Sequence, residues 1–217
     1  MFDQRLLDKQ LAAIDCSKLS KLSYALPSSN PSLRWSVSFR LLGVYRWEID
    51  GAVKVAHEDA TPFAQRCLQQ LAGSWWASAV AKHPNIGDGT GCPVANLAPW
   101  GSMHSLKIKD LSTAESSERV AADVRTYVLP FVQSVRDEVA YLTLLLSDQE
   151  PMKWMFSQPL ARFAEAAFVS VRLGKSPEHA LAALERERAF AVGQLPGHDL
   201  DEYARSVLQA ARQECES

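Results

Sequence analysis

The sequence predicts an α+β fold: an N-terminal antiparallel strand meander packed with helices, followed by an all-helical C-terminal half. Three observations predict it. Apolar and polar residues alternate strictly across residues 34–41, apolar residues recur at helical spacing from about 117 to 214, and Gly, Pro and Ser clusters separate the runs. Period two belongs to a half-buried strand and period 3.6 to an amphipathic helix. The expectation is a single domain over residues 1–217, strand-rich over 24–110 and helical over 117–214.

Phe2, Leu6, Leu7, Leu11 and Ile14 fall on one helical face, so a first helix is expected over about 3–14. A polar stretch near 17–23 follows it, and residues 24–26 start a strand that the turn cluster 27–31 ends. In 34–41, Trp35, Val37, Phe39 and Leu41 point one way and Arg34, Ser36, Ser38 and Arg40 the other. Gly43 breaks that run, and 44–49 alternates again up to Asp50-Gly51, which reads as a two-residue hairpin turn with a returning strand over 52–55.

Thr61-Pro62 signals a helix start, and Phe63, Cys67, Leu71, Trp75 and Ala79 give that helix an apolar face to about Lys82. Residues 83–101 hold four glycines and three prolines without a period, which predicts a long functional or mobile loop. A short strand is expected over 104–109. Val120, Val124, Val128, Phe131, Val135, Val139, Leu142 and Leu146 form one apolar stripe, predicting a helix that Pro130 kinks. Further helices are expected over about 151–173, ended by Gly174, over about 177–192, and from an Asp199 cap to about 212.

Composition narrows the function classes. Hydrophobic residues make up 47% of the chain, which supplies a core, and the net charge is −2 with no block of like charges. Residues 1–110 carry 12 Lys/Arg against 9 Asp/Glu, and 111–217 carry 11 against 16. That asymmetry falls short of the clustered basic face a nucleic-acid binder needs, so no nucleic-acid partner is expected. Cys16, Cys67, Cys92 and Cys215 are scattered without Cys-x-x-Cys spacing, so neither a zinc ribbon nor a redox pair is expected, and no metal or cofactor. The charged, amphipathic start does not read as a secretion signal and no stretch is long enough to span a bilayer; a cytoplasmic location without membrane association is the expectation.

No catalytic constellation is visible. Gly87 to Gly91 lacks the Lys-Ser/Thr of a phosphate loop and fits neither a dinucleotide turn nor a calcium loop. Cys92 lies between His83 and His104 with Asp88 close by, the residue types of a thiol nucleophile and its base. A hydrolase or transferase of unfamiliar type, with its site around 83–101, is therefore the alternative reading. The acidic residues of His57-Glu58-Asp59 suit a helix N-terminus, and 185–188 reads as a solvated charged face. The aromatic residues give the other signal. Trp75 and Trp76 point about 100° apart on a helix, so one of them leaves the core stripe. Trp76, Asp88 and Trp100 are the candidate partner-binding residues.

The segments Trp35-Ser-Val-Ser-Phe39, Leu129-Pro130-Phe131 and the Gly-x-x-Pro-x-x-Ala run from Gly174 to Ala180 resemble a group of small bacterial proteins of unknown function. Members of that group are often encoded beside secreted toxins and are thought to act as immunity proteins. The resemblance implies a non-enzymatic, protein-binding role against a toxin; it carries over no functional residue, and the 83–101 loop has no counterpart in it.

Overall fold

The structure, a computed structural model, describes residues 3–42, 48–70, 90–94, 97, 106–107, 113–147, 159–193 and 199–215. An N-terminal antiparallel sheet packed with helices precedes a mostly helical C-terminal half, and the chain forms two compact units. Unit 1 comprises residues 1–55 and 91–136, and unit 2 comprises 56–90 and 137–217.

Unit 1 is built on a sheet ordered β1 (Ser17–Ser20), β2 (Ser23–Leu26), β3 (Leu33–Leu42), β4 (Glu48–His57) and β5 (Thr90–Pro93), with β6 (Leu106–Lys107) also on β4. β1, β2 and β3 are successively antiparallel, and the register sets Tyr24 opposite Val37 and Leu26 opposite Trp35. Those four side chains are buried, which is the face the alternation predicts. On the other face Ser23 sits opposite Ser38, their hydroxyls 3.0 Å apart. β1 was not expected: its four residues are all exposed, so its sequence carries no alternation to read, and it exists through pairing with β2.

Asp50-Gly51 is not a turn. β4 runs straight through it, so the expected return strand over 52–55 is the same strand continued. A β-carbon on Gly51 would lie 2.9 Å from Val94 Cγ2 and 3.0 Å from Phe39 Cε1, so the glycine serves close packing rather than a positive φ. Part of the expected 83–101 loop is likewise ordered as β5, where a β-carbon on Gly91 would meet the Val53 carbonyl oxygen at 2.6 Å.

Helix α1 (Gln4–Ala12) packs against α3 (Thr113–Asp123). The Asp3 side chain accepts from Leu6 N at 3.1 Å, satisfying one of the free amides at the helix start. The Ser117 hydroxyl donates to the Asp3 carbonyl at 2.8 Å, and Tyr24 donates to Asp8 at 2.7 Å, tying sheet to helix. Beyond α3 the chain widens into a π turn (Val124–Val128), in which Leu129 N bonds the Val124 carbonyl five residues back. Pro130 then falls in the first turn of α4 (Leu129–Ser134), where its missing N–H is tolerated. The expected kink is therefore a π turn. The helix itself ends later, at Val135, and Asp137 starts α5 (Glu138–Leu146) by accepting from Ala140 N at 2.8 Å. Because that break resets the helical phase, Val139, expected in the core stripe, is 48% exposed.

Unit 2 packs helices around α6 (Pro159–Arg172), which is buried from Pro159 to Ser170. Its neighbours are α5, α7 (His179–Arg186), α8 (Arg188–Gly193) and α9 (Leu200–Cys215). Residues 60–70 form α2, whose Phe63 ring lies 5.0 Å from that of Phe168. Gly174 ends α6 at a φ of 67°, which a glycine adopts without a steric penalty. The helix expected over 177–192 is split at Glu187. Asp199 starts α9 as expected, accepting from Asp201 N at 2.8 Å.

Candidate functional site

Unit 2 buries several polar and charged side chains among its helices. His57 and Glu165 are 0% and 1% exposed, and Thr61 and Arg162 are also buried. Burying such groups is costly unless each finds a hydrogen-bond partner, so the partners identify what the cluster does.

His57 ends β4 and lies against the opening turn of α2. Its Nδ1 accepts from the amides of Asp59 and Ala60 at 3.1 and 3.2 Å. An atom accepting two N–H groups carries no proton, so the ring proton is on Nε2 and is directed at Glu138 Oε1, 3.3 Å away. His57 N donates to the Thr61 hydroxyl at 3.0 Å, and the ring stacks on Tyr141 at 5.6 Å between centroids. Thr61 does not cap α2 from outside, as its position beside Pro62 suggests; it lies within the helix and accepts from the strand end.

The same Thr61 hydroxyl donates to Glu165 Oε1 at 2.9 Å, and Tyr141 donates to Glu165 Oε2 at 2.6 Å. Burial pushes the Tyr141 hydroxyl well above its ordinary pKa, and the adjacent Glu165 charge adds to the rise. At the surface Arg172 donates to Asp59 and lies with Nε 3.1 Å from Glu138 Oε1. The bond to Asp59 holds the Arg172 pKa above its ordinary value. A buried cation, Arg162, serves the end of α5. It donates to the carbonyls of Leu145 and Ser147 at 2.5 and 2.6 Å and to Glu187 at 2.9 Å, while Arg186 takes the Leu146 carbonyl. A guanidinium against a helix C-terminus satisfies unpaired carbonyls and the dipole together.

A groove of about 680 Å³ opens beside this cluster, lined by Asp59, Phe168, Val171, Arg172, Glu214 and Cys215. Its charged walls are paired internally, Arg172 with Asp59 and Glu138, and Glu214 with Arg66. No family model, curated protein or solved structure matches the chain.

Chemically, a carboxylate–imidazole pair such as Glu138–His57 activates a nucleophile when the second ring nitrogen faces one. Here that nitrogen faces two backbone amides, so the pair fixes the start of α2. Cys92 is not in an exposed turn. It is buried in β5, and burial pushes its thiol up to about 12. Burial likewise raises Cys67 to about 12 and Cys16 to about 11, which leaves each of these thiols protonated and unreactive at neutral pH. The candidate residues Trp76, Asp88 and Trp100, with Trp75, His83 and His104, lie outside the described residues. Among the described residues no group of three His, Cys, Asp or Glu side chains could hold a metal ion, and no helix is long and apolar enough to cross a membrane.

Sequence reasoning placed the acids of 57–59 at a helix start but missed His57, Thr61, Tyr141, Glu165 and Arg162. Glu187, expected on a solvated face, in fact holds Arg162. One signal was available for α6: Arg162 and Glu165 interrupt an otherwise apolar run over 159–169, and a charged residue in such a run needs a partner.

Proposed function

We propose that this chain is a protein-binding protein that acts by surface contact, in the finer reading as a cytoplasmic immunity protein that occludes a bacterial toxin. The observation that carries the proposal is the commitment of the His57 imidazole: both ring nitrogens are used within the fold, one on two amides and one on Glu138. Two further features support it. Unit 2 carries ten Lys/Arg against sixteen Asp/Glu, a charge balance that speeds encounter with a basic partner. Trp76 and Trp100 are of the residue type most enriched at binding hot spots.

The test is affinity purification of the tagged chain from its source cells at native expression, beside the variants Trp76→Ala, Asp88→Ala and Trp100→Ala. One stoichiometric protein is expected with the wild type and is lost or depleted with the variants. Recovering nothing, together with a host phenotype abolished by separate substitution of Cys92, Asp88 or His104, would overturn the proposal in favour of an enzyme.

A further inference from the structure

We propose that His57 is an acid-sensitive latch on the start of α2, independent of whatever the chain binds. The geometry carries the inference. The imidazole is fully buried, and its Nδ1 is the acceptor for the amides of Asp59 and Ala60. A proton added at Nδ1 sets a donor against two donors, and both hydrogen bonds are lost at once. The ring has no room to turn its other nitrogen to those amides while Tyr141 stacks on one face and Nε2 is held by Glu138.

The charged and titratable groups around the ring, among the described residues, come from three elements. Glu58 and Asp59 flank it on its own segment, Glu138 and Tyr141 face it from α5, and Arg172 and Glu165 belong to α6. Glu138 places a carboxylate oxygen 3.3 Å from Nε2, and it also pairs with Arg172 Nε at 3.1 Å. Its charge is thus already compensated by a permanent cation, so it offers a second cation limited compensation for the lost amide bonds. Glu165 accepts from the hydroxyls of Thr61, which holds the His57 backbone amide, and of Tyr141, which stacks on the ring.

Acid therefore opens the first turn of α2 locally while the helices around α6 stay folded. The experiment reads backbone hydrogen exchange of the full chain by NMR at about pH 7.5 and about pH 5, corrected for intrinsic exchange, in the wild type and in His57→Asn. Asparagine places an acceptor oxygen where Nδ1 sits but does not titrate. In the wild type the protection of the Asp59 and Ala60 amides should fall at least about tenfold relative to Tyr203 and Ala204 in α9, and in His57→Asn that ratio should hold. An unchanged ratio in the wild type, or an equal fall in His57→Asn, overturns the latch. Should His57→Asn fail to fold, the imidazole nitrogen resonances of the same wild-type samples decide. Protonation at Nδ1 must accompany the loss of protection, and loss of protection with Nδ1 still bare overturns the proposal.

Discussion

Replacing Arg162 by Ala tests how far the buried charges of unit 2 support its fold. The side chain is 4% exposed and donates to two carbonyls at the end of α5 and to Glu187. Leu145 is fully buried, so its orphaned carbonyl has no water to replace the guanidinium, a loss of about 1–3 kcal/mol. Ser147 is half-buried and Glu187 is about a third exposed, so both regain some solvent and together add about 1–2 kcal/mol. Burial lowers the Arg162 pKa, the sign of an unfavourable environment that its partners offset. The net expectation is a loss of about 3–4 kcal/mol, and a fall of roughly 6–16 °C in the unfolding midpoint of the chain. Arg162→Lys keeps the charge but not the fork, so it should lose about half as much. Urea unfolding followed by far-ultraviolet circular dichroism measures both variants. An Arg162→Ala protein within about 0.5 kcal/mol of wild type would refute the reasoning, since that is the range of an ordinary surface substitution.

Three further outcomes are expected. Tyr141→Phe leaves Glu165 Oε2 short of its 2.6 Å donor while keeping the ring on His57, and should cost about 1–3 kcal/mol in the same assay; unchanged stability would contradict the network. Asp123 is buried beside the π turn with Oδ2 unpartnered, and burial raises its pKa. An acid raised in the folded state is harmless while protonated in both states; it costs stability as pH climbs past its unfolded value, and the cost is complete once pH exceeds its folded value. Asp123→Asn should therefore be more stable than wild type at pH 7, by up to about 1 kcal/mol, with the gain gone near pH 3. A gain that persists at low pH would refute this. Finally, a thiol reagent at about pH 8 should modify half-buried Cys215 well before Cys16, Cys67 and Cys92, read by peptide mass mapping; early modification of Cys92 would revive it as a nucleophile.

What was legible in the sequence was local. The faces of β3 follow from the alternation of Trp35, Val37 and Phe39, and the start of α9 follows from Asp199, because each signal is complete within a few residues. Asp50-Gly51 misled because the dipeptide is the same whether glycine supplies a positive φ or a missing β-carbon. The packing of Phe39 and Val94 decides between them. Pro130 misled for a related reason: a proline inside a helical period implies a kink, but a π turn just before it removes the conflict. The His57 cluster was illegible because its partners are remote in sequence. Glu138 lies 81 residues from His57, and Glu165 lies 104 from Thr61, so only the fold brings them together.

The central claim, action by contact, is tested most directly by calorimetric titration of the purified chain with the protein it captures, using wild type and Trp100→Ala. Saturable one-to-one binding is predicted, weakened at least about tenfold by the variant, which corresponds to about 1.4 kcal/mol. Absence of saturable binding, with turnover of a small molecule that disappears in Cys92→Ala, would contradict it.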